Sequence, residues 1–164
     1  MKKLNLGCGK DIKSGYINID FRKGDGVDLV HDLMKPLPFD DESCTDIMAH
    51  DILEHFGFRD TERILADWIR TLGTGGCLDL VVPNFEAHLQ YYKADKQDPR
   101  YVNGYDDSFE FFRANVFGGQ DYEGNFHKTF FTPRTVERLL EKAGLKLLKM
   151  GTPRREINVL AVKE

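Results

Sequence analysis

Leu4-Asn5-Leu6-Gly7-Cys8-Gly9, followed by Tyr16-Ile17-Asn18-Ile19-Asp20, is the stretch that decides the fold. Leu4 and Leu6 suit the interior of a buried strand. Gly7 and Gly9 let the chain turn sharply and approach a ligand without a Cβ in the way. Asp20 closes a second strand, where a carboxylate can accept hydrogen bonds from a ribose diol. Open backbone amides beside an acidic ribose clamp are what a nucleotide-type cofactor requires.

Outward from that stretch, strands alternate with helices, the pattern of a parallel sheet covered by helices. Strands are expected at residues 3–6, 16–20, 27–31, 44–49 and 77–82. The links at 10–15 and 22–26 are too short for a βαβ crossover, so the usual first helices should be absent or reduced to a turn. One face of the sheet is then thinly covered, which makes it a candidate homodimer surface. Asp60 or Thr61 should cap a helix whose Ile64, Leu65, Trp68, Ile69 and Leu72 recur at helical spacing, with Gly73 ending it. Pro83 should stop the fifth strand, ahead of a short helix over 85–93. A clear helix starts at Thr132-Pro133 and ends before Gly144, with Val136, Leu139, Leu140 and Ala143 as its buried stripe. The closing strands 145–150 and 157–162 are joined too tightly for a crossover and should form an antiparallel hairpin.

Residues 94–126 interrupt this regularity. They are polar and rich in Gly, Asp and aromatics, which suits a lid or substrate loop. A helix over 108–116 within them should turn Phe109, Phe112 and Val116 inward. Tyr91, Tyr92, Tyr101 and Tyr105 suit either a lid or the core.

The bulk composition narrows the function classes. A chain of 164 residues with 41% hydrophobic content reads as one domain over 1–164 with a real core. Its net charge of -4 and scattered Lys and Arg argue against nucleic acid. No apolar run is long enough to span a membrane, and the N-terminus has no signal-peptide character. Cys8, Cys44 and Cys77 are odd in number and far apart, as in a reduced cytoplasmic protein without a disulfide framework or zinc site.

Three histidines draw attention. His50 falls at the carboxyl end of the fourth strand, a position suited to an active-site wall. His55 follows in His50-Asp51-Ile52-Leu53-Glu54-His55; histidines five apart do not share a helical face, so this segment does not read as a metal site. His127 lies between a glycine-rich loop and Phe130-Phe131, where it could act as a base or anchor the loop.

The ordered phrases LNLGCG, GYINID, DLMKPLPFDDES, HDILEH, FGGQ and His127 to Thr132 resemble those of class I S-adenosylmethionine-dependent methyltransferases. The likeness spans nearly the whole chain and is nearest to a compact bacterial and phage group, similar to methyltransferase type 11. It implies a Rossmann-like, mostly parallel α/β sheet closed by an antiparallel C-terminal hairpin, with shortened N-terminal helices. By position, Leu6, Gly7, Cys8 and Gly9 would pass beneath the methionine part of S-adenosyl-L-methionine, and Asp20 would hold the ribose. Asp32 would receive the adenine amino group, with Leu33 against the ring and His50 near the transferred methyl. His50, His55 and His127 are then the candidate bases for an O or N atom of a small-molecule or glycan-like acceptor. Two departures stand out: Asn5 replaces a common acid, and Asp11 replaces a third glycine that would permit close helix packing. Alternatives are a protein that binds the cofactor without turnover, or a nucleotide- or NAD-dependent enzyme. The latter would want glycine where Ile12 stands.

Overall fold

The computed structural model describes residues 1–95 and 107–164. It contains strands β1 (Lys2–Leu6), β2 (Ile17–Asp20), β3 (Leu29–Val30), β4 (Cys44–His50), β5 (Leu72–Pro83), β6 (Leu145–Gly151) and β7 (Glu156–Lys163). Its helices are α1 (Thr61–Thr71), α2 (Phe85–Lys93), α3 (Ser108–Phe117) and α4 (Pro133–Lys142), with a 3-10 turn at Leu53–His55. The strands form one sheet in the order β3-β2-β1-β4-β5-β7-β6. The first five run parallel, and β7 is antiparallel to both β5 and β6. This is the Rossmann-like, hairpin-closed sheet expected from the sequence.

Register explains which side became the core. Leu4, Ile47, Leu78 and Ala161 stand abreast across four strands, and Leu6, Ala49, Leu80 and Val159 form the next row. All eight are buried beneath Trp68, Ile64, Leu65, Val136 and Leu140 of α1 and α4. The alternate rows point to the other face, because strand side chains alternate in direction. There Lys3 pairs with Asp46 at 3.3 Å, His50 with Asp79 at 3.0 Å, and Leu160 is 39% exposed. That face carries mostly half-buried polar groups.

No helix forms between β1 and β2 or between β2 and β3, and side-chain hydrogen bonds hold those links instead. The buried Asn5 amide donates to the Asp11 carbonyl at 2.7 Å and to Asn18 Oδ1 at 2.9 Å. Asn18 Oδ1 also accepts from the Lys13 amide, while Asp28 accepts from the backbone and side chain of Asn18. Those bonds hold the Asp28 carboxyl below its usual range, the backbone one first. An amide suits position 5 because it donates to a carbonyl and to an amide oxygen, which a carboxylate cannot do.

Several boundaries differ from expectation. The third strand is confined to Leu29–Val30, although the flanking amides also reach β2: that of Asp28 donates to the Asn18 carbonyl and that of His31 to the Asp20 carbonyl. Gly73 does not end α1. The helix stops at Thr71, Leu72 already belongs to β5, and the glycines run inside that strand. A Cβ on Gly76 would meet the Gly73 carbonyl oxygen at 2.8 Å, so these glycines serve a crowded strand start. Pro83 is the last residue of β5 and still pairs with Glu156. Phe109 turns outward at 51% exposure, and Phe111 takes the buried place instead. Thr132 caps α4 through a reciprocal bond with Thr135, and Ala143 sits half-buried just beyond the helix end. Tyr101 and Tyr105 lie outside the described residues.

Candidate functional site

The carboxyl ends of the parallel strands open into a cavity of about 660 Å³, the place where open α/β sheets bind ligands. Its floor is the turn after β1. Gly7 has φ +66°, and a Cβ there would lie 2.5 Å from Ile52 Cγ1, so only glycine lets this turn pass beneath the segment following β4. Gly9 has φ +52° and faces open space. Leu6 and Cys8 are buried behind them. Burial, then the Asp20 charge, pushes the Cys8 thiol up to about 11, which leaves it a packing group and no nucleophile.

Asp20 borders the cavity at 6% exposure. Its two carboxylate oxygens accept from the Gly9 and Arg22 amides, each at 2.9 Å. Each oxygen keeps lone-pair capacity for a ligand, and the backbone fixes its direction. Asp32 and Leu33 line the same wall, where Asp32 accepts from the Met34 amide at 3.0 Å. Opposite them, the Arg22 guanidinium lies 3.8 Å from the Tyr122 ring centroid. A Cβ on Gly124 would meet Phe21 at 2.9 Å. The loop over 121–126 is thus latched across the cavity mouth by the two residues that follow Asp20.

A second cavity of about 330 Å³ adjoins the first, and Asp51, His55 and Tyr122 line both. Glu54, His88, Asn115, His127, Arg155 and Glu156 are among its other lining residues. His55 and His127 meet there edge to face, with ring centroids 5.0 Å apart. His55 Nδ1 lies 3.2 Å from the Phe126 carbonyl, and His127 Nδ1 lies 2.9 Å from that of Asn115. A carbonyl only accepts, so each Nδ1 carries the proton and each neutral ring keeps its lone pair on Nε2. Burial lowers both histidine pKa values, keeping the rings in the form that takes up a proton. His127 Nε2 is 3.9 Å from Glu54 Oε1. Glu54 is 2% exposed, its Oε2 has no hydrogen-bond partner, and burial followed by the Asp51 charge raises its pKa well above the usual range. One nitrogen of each histidine and a Glu54 oxygen lie within 4.8 Å of one another.

Of the residues singled out from sequence, Gly7, Gly9, Asp20, Asp32, Leu33 and His55 line the first cavity, and His55 and His127 the second. His50 lines neither. Its ring lies on the uncovered face against Asp79, because it stands in register with Val81, one place along β4 from the core-facing Ala49. The residue after it is the one that reaches the cavities. Asp51 adopts φ +50°, a strained conformation for a residue with a side chain. Asp51, Glu54, His88 and Arg155 were not legible as site residues, since they come together only through packing. The one signal was the density of ionisable groups in HDILEH.

No family model matches the chain, and no curated protein matches it. Solved structures match its fold. An S-adenosylmethionine-dependent methyltransferase from Methanosarcina mazei superposes with a TM-score of 0.67 at 20% identity, covering 99% of this chain and 92% of that one. The 1,6-didemethyltoxoflavin-N1-methyltransferase of Burkholderia thailandensis, solved with its substrate and S-adenosylhomocysteine, gives 0.64 at 13% identity over 98% and 69% of the two chains. The [4+2]-cyclase SpnF gives 0.64 at 13% identity over 99% and 74%. At these identities the likeness establishes a class I methyltransferase-like fold, and the reaction has to be argued from the site.

Proposed function

We propose that this chain is an S-adenosyl-L-methionine-dependent methyltransferase acting on an O or N atom of a small-molecule or glycan-like acceptor. The observation that carries this reading is the strand-end cavity with a glycine floor and two carboxylates, Asp20 and Asp32, on its wall. Its volume suits a cofactor-sized ligand. In this reading Gly7 and Gly9 underlie the methionine part, Asp20 takes the ribose hydroxyls, and Asp32 and Leu33 take the adenine. The cofactor supplies an activated methyl group on its sulfonium. The chain's own task is to align the acceptor and exclude water. A hydroxyl acceptor also has to lose its proton, and the neutral His127 and His55 beside the second cavity are placed for that step. His50 has no part in this reading. The 121–126 loop, latched by Phe21 and Arg22, shields the cofactor from solvent.

A thermal-shift series with S-adenosylmethionine, S-adenosylhomocysteine and NAD tests the cofactor, since a ligand of the folded state raises the melting temperature with concentration. The first two should stabilise the protein. A shift with NAD alone would overturn the reading. Retained cofactor binding without S-adenosylhomocysteine production from any acceptor pool would favour a binding protein, and the cyclase neighbour shows that this fold is not confined to methyltransferases. We further assign the uncovered sheet face to a second copy of the chain; a monomer in light scattering at tens of micromolar would remove that assignment.

A further inference from the structure

The second cavity has an unbalanced charge. Asp51, Glu54 and Glu156 all line it. Among the described residues, none of the three is ion-paired to a Lys or Arg, and Glu54 Oε2 is buried without any hydrogen-bond partner. Asp51 and Glu156 repel one another enough to raise the Asp51 pKa, after desolvation. The imidazoles nearby do not offset this. His55 and His127 are held neutral by burial, and His88 is pushed down to about 4 by burial and by the Arg155 charge. Among the described residues of the lining, Arg155 is the one permanent cation. Its guanidinium lies 4.4 Å from the Phe111 ring centroid and 5.4 Å from that of Tyr91, so the aromatic faces fix it to one side. An under-compensated group of carboxylates in a partly desolvated cavity favours a cationic, hydrogen-donating occupant.

Resting on the methyltransferase reading, we propose that the acceptor is an amine, bound as its ammonium form by Asp51 and Glu156 in the second cavity, with Glu54 offering a hydrogen-bond acceptor beside them. Asp51 stands where the two cavities meet and directs the nitrogen toward the methyl group. One N–H proton passes to the neutral imidazole of His127 or His55. The freed lone pair then forms the nitrogen–carbon bond while the carbon–sulfur bond breaks. That bond's electron pair stays on sulfur, leaving S-adenosylhomocysteine and the methylated ammonium. The imidazolium returns its proton to solvent. A hydroxyl acceptor would leave the carboxylates with less to bind, and a carboxylate or phosphate acceptor would be repelled by them.

Calorimetry on protein saturated with S-adenosylhomocysteine tests this, using butylamine against 1-butanol, phenethylamine against 2-phenylethanol, and 3-phenylpropanoate as the anionic control. At least one amine should bind tenfold or more tightly than its alcohol. That preference should vanish in the double variant Asp51→Asn, Glu156→Gln, with an unchanged circular-dichroism spectrum and a cooperative melt as proof of folding. Amines that bind no tighter than their alcohols, or an anion that binds best, would overturn the proposal. So would a double variant that loses affinity for S-adenosylmethionine but not S-adenosylhomocysteine with no change toward amines, since the carboxylates would then serve the sulfonium. Zn²⁺ binding that abolishes with Glu54→Gln and excludes amines would overturn it in favour of a metal. Absence of S-adenosylhomocysteine binding in the parent protein would sink the methyltransferase reading itself, a separate result.

Discussion

The two cavities differ in how they are made. The wall and floor of the first come from Gly7 to Leu33, three short strands and the turns between them, tied by backbone bonds to Asp20 and the Asn5–Asn18–Asp28 network. The second takes residues from 51 to 156, brought together by the turn after β4, by α2 and α3, and by the β6–β7 hairpin. In the first, the Asp20 carboxylate is aimed by the Gly9 and Arg22 amides. The other holds buried atoms of titratable groups that have no hydrogen-bond partner among the described residues, including Glu54 Oε2 and His88 Nδ1. Unsatisfied buried polar groups cost stability, so an occupant that hydrogen-bonds to them is favoured there. A shared cofactor needs a fixed cradle, and an acceptor needs a cavity that different packing can retune.

Substitutions can break this division. The largest effect is expected for His127→Ala, which should lower turnover by about 10²- to 10⁴-fold if His127 serves as base, while cofactor affinity stays nearly intact. Steady-state kinetics beside calorimetry would check it, and equal loss of both would return His127 to an anchoring role. Asp20→Ala should do the opposite, weakening S-adenosylhomocysteine binding by about 100-fold through loss of charge-assisted hydrogen bonds. Unchanged affinity would remove Asp20 from the cradle.

His88 gives a pH signature in the second region. Its folded pKa of about 4 lies below the ordinary histidine value of about 6.5, so the unfolded chain binds the extra proton first. Stability should therefore fall as pH drops from about 6.5 toward 4, by up to about 3 kcal/mol at one pKa unit per 1.36 kcal/mol. His88→Gln should flatten that part of the melting-temperature profile, and an unaltered profile would show that other groups control acid lability. Gly7→Ala should cost about 2 kcal/mol, because its Cβ would overlap Ile52 in a backbone conformation that disfavours a side chain. A larger side chain cut back opposite it, Ile52→Ala, should relieve the overlap in a double-mutant cycle of thermal unfolding, leaving only the conformational strain.

Much of the first region was legible because its determinants are local. The apolar Leu4 and Leu6 at alternate positions, the two glycines, and links too short for helices led to the sheet, its missing crossovers and the turn without reference to distant residues. The Thr132-Pro133 helix start and the tight link before β7 were equally local, and so was the antiparallel hairpin. Boundaries went astray where distant neighbours intervened. Gly73 looks like a helix stop, yet β5 begins before it because Leu72 pairs with Cys44. Phe109 fits an inward stripe, yet Phe111 is the residue that packs against Arg155.

The histidines show the limit most clearly. By sequence alone His50, at the carboxyl end of a strand, suits an active-site wall, yet strand parity sends its ring to the far face with Asp79. His55 instead meets His127, 72 positions away, across a cavity walled by α2, α3 and the hairpin. Sequence by itself determined the sheet, the glycine turn and the acids at its strand ends, because backbone sterics and periodicity act between near neighbours. Only the tertiary structure decided which titratable groups share a desolvated space, because charge and burial depend on distance in space and not on separation along the chain.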